Sequence, residues 1–194
     1  MSAVDPRRAL LDLLGAYQDA WPDEDAVVAR IGNLVVTQED CLLRTCFTPG
    51  HLTASAWVCS QDGARCVLLH HGKLDKWLQP GGHADGEAEL ERVALREVEE
   101  ETGLSGLEVL LHDGGLVPLD LDVHVIPARK REPQHEHHDV RFLVIARQDA
   151  PLVCSDESRE LRWVDVARLT DFTREESVLR LARKAKLLLE RSQS

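Results

Sequence analysis

Apolar positions recur at helical spacing along the opening of the chain and then give way to strand-like runs. Ala9, Leu10, Leu11, Leu13, Leu14 and Tyr17 follow the start signal Asp5–Pro6 and predict one amphipathic helix. Trp21–Pro22–Asp23 interrupts it, and Asp23 is placed to cap a second helix through about Ile31. Thr37 with Asp40 three residues on reads as a third start, leading to Leu42 and Leu43. Residues 1–48 are therefore expected to be a small helical extension, with packing favoured as its role and dimerisation or substrate capping left open.

From His51 the period changes. Leu52 to Cys59 and Cys66 to Leu69, separated by the turn Gln61–Asp62–Gly63, predict a hairpin. Leu107–Leu111, Leu121–Ile126 and Leu161–Val164 are further strand candidates. Val140–Ala146 is almost wholly apolar, so it should be a central strand covered on both faces. Thr173 and Glu176 form a capping box that opens a terminal helix to about Glu190, with Val178, Leu179, Leu181, Ala182, Ala185 and Leu188 as its buried stripe. This order of elements predicts an α/β body over 49–194, a mixed sheet packed between helices.

The stretch Gly81–Leu104, GGHADGEAELERVALREVEEETGL, departs from ordinary amphipathic patterning. At about 100° per residue, Glu97, Glu100 and Glu101 share roughly a third of the helix circumference with Leu90, Val93, Ala94 and Leu104. Carboxylates at this spacing repel one another and are costly to desolvate unless a cation lies between them. Mg2+ or Mn2+, which prefer oxygen ligands and often share them with phosphates, suit such a set. A charge run is more often a solvated face, and that reading fits Glu99 and Glu108. Gly103 is a standard helix terminator.

Composition narrows the possibilities. The 194 residues, 43% hydrophobic and 29% charged, describe a globular chain large enough for a real core. A net charge of -11 argues against a stable nucleic-acid complex, because phosphate binding needs a basic surface. Cys41, Cys46, Cys59, Cys66 and Cys154 are odd in number and show no Cys-x-x-Cys pair, so they are expected to be reduced, mostly in the core, in a cytoplasmic protein. No apolar run approaches a membrane span.

Two other groups carry candidate chemistry. Arg129, Lys130 and Arg131 are the densest positive charge and are expected on a loop between strands, where they suit phosphate oxygens. His135, His137 and His138 follow in what reads as a His-rich loop; without zinc-ligand spacing, a substrate-pocket role for His137 or His138 competes with plain polar surface. His83 directly follows the glycine pair and should lie near the cation, whereas His51 reads as a satisfied structural histidine. Trp77 is most simply core, with base stacking as the alternative, and Glu157 and Glu160 are candidate bases or ligands that would also pass as surface acids.

The glutamate stretch resembles the Nudix box, the signature of the Nudix hydrolase family. Gly82, the run Arg96–Glu97–Val98–Glu99–Glu100–Glu101–Thr102–Gly103–Leu104 and the spacing between them fit, while the first box glutamate is replaced by Ala88, with Glu87 and Glu89 on either side. HLTASAWV, KWLQPGGHAD, DVHVIPARK and HHDVRFLV extend the similarity to a group of bacterial Nudix hydrolases. The resemblance implies an α/β/α sandwich over about 50–190 and metal-dependent hydrolysis of a phosphoanhydride in a nucleoside diphosphate-type substrate. It also implies that Glu97, Glu100, Glu101 and the Gly81 carbonyl hold the cation and that Arg96 orients a glutamate; whether Glu87 replaces the missing acid, which would take a one-residue shift in the loop, is left open. A homodimer is left open.

Two rivals follow from the same resemblance. One is a Nudix-fold nucleotide-binding or sensor protein without chemistry, which only Ala88 favours. The other is an isopentenyl diphosphate isomerase-like enzyme, which would need a catalytic cysteine where Cys59 and Cys66 read as core.

Overall fold

The computed structural model describes residues 5–129, 132–146, 151–154 and 158–191. Helix α1 (Pro6–Ala20) starts as expected, with the Asp5 side chain accepting a bond from the Arg7 amide at 3.0 Å. A short 3-10 turn at Pro22–Glu24 leads into α2 (Asp25–Thr37), which runs past Ile31 because Leu34 and Val35 continue its buried stripe. Asp23 lies in the turn and does not cap α2.

The third helix is absent. The Thr37 hydroxyl bonds back to the Asn33 carbonyl at 2.7 Å and so closes α2 instead of opening a helix. Beyond it the chain proceeds by single turns, with the amides of Leu43 and Cys46 on the carbonyls of Asp40 and Leu43.

The sheet contains β1 (Gly50–Ser60), β2 (Arg65–His71), β3 (Lys76–Leu78), β4 (Gly81–His83), β5 (Glu108–Val109), β6 (Asp120–Ile126), β7 (His135–Ala146) and β8 (Ser158–Asp165). Its order is β3-β2-β1-β7-β5, with β4 on β1, β6 on β7 and β8 on β2. Among the described residues only β1 and β7 run parallel, from Gly50 opposite Glu136 to Ser60 opposite Ala146. The sheet is mixed, as the strand order implied.

The expected His-rich loop is instead the start of β7. Histidine has no strong preference for strands, but this segment is paired with β1 on one side and β6 on the other, and pairing overrides propensity.

Alternation along β1 and β7 builds two cores. Leu52, Ala54, Ala56 and Val58 with Val140, Phe142 and Val144 meet α1, α2 and helix α3 (Leu90–Thr102). Trp57, Cys59 and Leu143 meet helix α4 (Glu176–Arg191) through Val178, Leu181, Ala185 and Leu188. The result is an α/β/α sandwich whose N-terminal helices share one core with α3.

The α4 side of the β6–β7 half is polar. Arg141, 2% exposed, bonds Asp139 at 2.8 Å and Asp120 at 3.2 Å. Arg180 and Lys184 of α4 each reach Asp120 at 2.8 Å.

Candidate functional site

Strand β4 is held between β1 and α3, and its two glycines make that possible. A Cβ on Gly81 would stand 2.6 Å from Ser55 Cα and 2.8 Å from the Ala54 carbonyl; one on Gly82 would stand 2.7 Å from Glu97 Oε1. The backbone therefore lies directly against the Glu97 carboxylate, an approach that only glycine permits.

Three of the predicted residues on α3 meet this strand. The Gly81 amide donates to Glu101 Oε2 at 2.9 Å. Arg96 Nη1 lies 2.7 Å from Glu97 Oε1 and 3.5 Å from Glu100 Oε2, while Nη2 donates to the His83 carbonyl at 3.3 Å. Arg96 thus ties two of the glutamates to β4. Burial, with Glu100 alongside, pushes the Glu97 carboxyl above its ordinary range even though Arg96 opposes the shift. Glu99 and Glu108 are exposed, in keeping with a solvated role; Glu100, grouped from sequence with Glu97 and Glu101, is exposed as well and is joined to Glu97 through Arg96, 3.5 Å away. Glu87, beside Ala88 at the missing box acid, turns to Arg92 at 3.6 Å.

The histidines separate into two groups. His83 and His137 join His51 in a cluster whose nitrogens lie within 4.8 Å of one another. Burial, Arg44 and His51 lower His83 to about 4, and burial with the surrounding imidazoles lowers His137 to about 2. His138 occupies the opposite face of β7, where Nε2 meets Glu136 Oε2 at 3.1 Å, and Glu136 in turn meets Arg30 of α2 at 2.6 Å. Arg129 is exposed at the β6–β7 connection, its backbone bonded both ways with Glu132, while Lys130, Arg131 and Glu157 lie outside the described residues.

Trp77, Glu160 and the two strand cysteines each have neighbours that suit a structural role. Trp77 sits edge-on to Phe172 with centroids 5.4 Å apart. Glu160 pairs with Arg162. Cys59 and Cys66 oppose each other across β1 and β2, and burial raises both thiols to about 12, so they stay protonated and fit a structural role.

His51, read from sequence as a satisfied structural histidine, leaves its Nε2 without a partner among the described residues, and the Asp120–Lys184 pair was not singled out from sequence. Their signals were period-2 spacing through His135, His137, Asp139 and Arg141, and a lysine at 184 on the helical stripe that includes Leu181 and Leu188.

A sandwich with a glutamate-bearing helix against a double-glycine strand defines a recognised class of domain. The NUDIX domain model matches residues 49–184, and the chain belongs to the Nudix family.

Solved structures agree on the fold. The chain is similar to a NUDIX-family hydrolase from Clostridium perfringens at 21% identity and TM-score 0.57, covering 71% of this chain and 97% of that one. A C. elegans Ap4A hydrolase binary complex is similar at 17% identity and TM-score 0.56, covering 72% and 97%. The NUDIX domain of Shewanella oneidensis NrtR complexed with ADP ribose is similar at 16% identity and TM-score 0.51, covering 81% and 97%. No curated protein sequence matches the chain closely enough to count as a relative. No described helix is long and apolar enough to cross a membrane.

Proposed function

We propose that the protein is a hydrolase that cleaves a phosphoanhydride bond in a nucleoside diphosphate-type small molecule, using Mg2+ or Mn2+ held by Glu97, Glu100 and Glu101. The observation that carries this reading is the packing of Gly81 and Gly82 against Glu101 and Glu97. It sets two carboxylates, Glu97 and Glu101, against β4, with Arg96 joining Glu97 to the exposed Glu100 at the rim.

The residues fit a hard divalent cation. All donors are oxygens, the Glu97 carboxylate is disfavoured by burial, and the Gly82 cradle leaves no room for a side chain beside it. The Gly81 carbonyl is assigned to the same ligand set. When bound, the cation supplies charge neutralisation at the phosphates and Lewis acidity toward water.

The chain's own residues do the rest. Arg96 keeps Glu97 and Glu100 oriented, and the Gly81 amide fixes Glu101, so the donor set is organised before substrate arrives. Arg129, with Lys130 and Arg131, is assigned to the phosphates. His83 and His137 border the site through His83, whose carbonyl holds Arg96. His138, turned toward Glu136, is assigned to packing.

Nucleotide binding without turnover is the second reading, favoured by Ala88 in the first box position and by Glu87 facing Arg92. A screen separates the two. Nucleoside triphosphates, ADP ribose, dinucleoside polyphosphates such as Ap4A, and coenzyme A are incubated with Mg2+ or Mn2+, and products are read by mass. Cation-dependent cleavage of any of them supports the hydrolase, whereas tight binding with no cleavage supports the second reading.

A further inference from the structure

We propose that His51, His83 and His137 form a second cation site, for one nitrogen-preferring divalent ion of the Zn2+ class, separate from the oxygen-donor site on α3. Three strands deliver it. Parallel pairing sets His51 beside His137, and antiparallel pairing sets His83 beside Thr53, two residues from His51 on the same face. Ring centroids are 4.8 Å apart for His51 and His137, and 5.2 Å for His83 with each of the others.

His51 gives the strongest indication. It is 1% exposed, and its Nδ1 lies 3.0 Å from the Cys46 carbonyl, so Nδ1 carries the proton and Nε2 the lone pair. That buried Nε2 has no hydrogen-bond partner among the described residues. An imidazole fixed through one nitrogen to a carbonyl, with the other left open, is the usual arrangement of a metal ligand. An unpartnered buried nitrogen is otherwise a cost with no return.

The neighbours suit the same reading. His83 and His137 are half-buried beside His51, each with a ring nitrogen inside the same 4.8 Å cluster. Phe47 packs edge-on against His135, which stacks on His51, and the two cover that end of the cluster.

Three neutral imidazoles without a carboxylate select zinc-like ions over Mg2+ or Ca2+, and three protein ligands leave one tetrahedral position open. At Zn–N bonds of about 2.0–2.1 Å the nitrogens would approach to roughly 3.4 Å, so the 4.8 Å cluster contracts through small side-chain rotations. The ion would also pin β4, whose neighbouring Gly81 and Gly82 touch Glu101 and Glu97.

The ligands are separated by 32 and 54 positions in the chain, which is why no local zinc motif announces them.

The test uses untagged full-length protein, stripped with chelator, given Zn2+, desalted and analysed for bound metal. One zinc per chain is expected, with a melting temperature raised by several degrees. His51→Ala, His83→Gln and His137→Ala should each abolish retention, with folding checked by circular dichroism. Glu101→Gln should retain the zinc, which keeps this result independent of the glutamate site. Co2+ on the unmodified protein gives a reading that needs no variant: strong visible absorption of a four- or five-coordinate ion is expected. Failure of the unmodified protein to retain zinc, a weak six-coordinate Co2+ spectrum, or full retention by the folded histidine variants would each overturn the proposal.

Discussion

A methyl group on Gly82 would stand 2.7 Å from Glu97 Oε1, whereas one on Gly81 would meet the Ser55 Cα at 2.6 Å. The neighbouring glycines therefore fail differently when substituted. In Gly82→Ala the obstacle is the far end of a flexible side chain, so Glu97 swings away. The melting temperature should change by no more than about 2–4 °C, while hydrolysis falls about 10–100-fold. Gly81→Ala meets backbone on β1 and should cost about 1–3 kcal/mol. Thermal melts beside rate measurements on the two variants check the contrast.

Arg96 bonds Glu97, Glu100 and the His83 carbonyl, so in the proposed hydrolase it would organise the donors rather than bind the cation. Arg96→Gln should therefore raise the Mn2+ concentration needed for half-maximal rate by about 10–100-fold, with a smaller change in rate at saturating Mn2+. A metal titration of both proteins reads this directly. An unchanged midpoint would remove Arg96 from its organising role.

Lys184, 5% exposed, holds Asp120 at 2.8 Å, Glu24 at 2.6 Å and the Tyr17 hydroxyl at 2.6 Å, joining α4 to both the sheet and the N-terminal helices. Lys184→Met leaves buried Asp120 to Arg141 and Arg180 and takes a cation from half-buried Glu24, and should cost about 1–3 kcal/mol in urea unfolding. Adding Asp120→Asn should cost less than the sum of the two single changes, because both remove the same pair.

Acid stability should depend on Asp122. Burial raises its carboxyl, but the bond with His124, followed by Arg141 and Arg180, outweighs that and holds it well below the ordinary value of 3.8. The unfolded chain then binds the proton first, so this contribution is complete above the ordinary value and is lost as pH falls below it. Urea midpoints followed downward through that range should drop more steeply for the unmodified protein than for Asp122→Asn.

Much of this was legible in the sequence wherever local periodicity carried the information. The period of α1, the β1–β2 hairpin, the apolar run of β7 and the glutamates of α3 are all local patterns; the elements appear in the structure, with Glu97 and Glu101 against β4 and Glu100 exposed. What escaped depends on partners distant in the chain. Thr37 was free to cap forward or bond backward, and only the turn chain after it decided. His135–His138 became strand because β1 and β6 pair on both sides. His51 gained its open nitrogen from a contact with the Cys46 carbonyl and from strands that arrive much later in the chain. Lys184 on an otherwise apolar stripe signalled a buried network, but its partners Asp120 and Tyr17 could not be assigned from spacing alone.

The central claim rests on the glutamates of α3 and is tested most directly by titrating Mn2+ into metal-free protein with a phosphoanhydride substrate such as ADP ribose or Ap4A, whichever the screen shows to be cleaved. The unmodified protein and Glu101→Gln are compared. No turnover is expected without cation, a saturable rise with it, and a rate in Glu101→Gln lower by on the order of 100-fold at saturation. Turnover that survives chelation, or a Glu101→Gln rate equal to that of the unmodified protein, would contradict it.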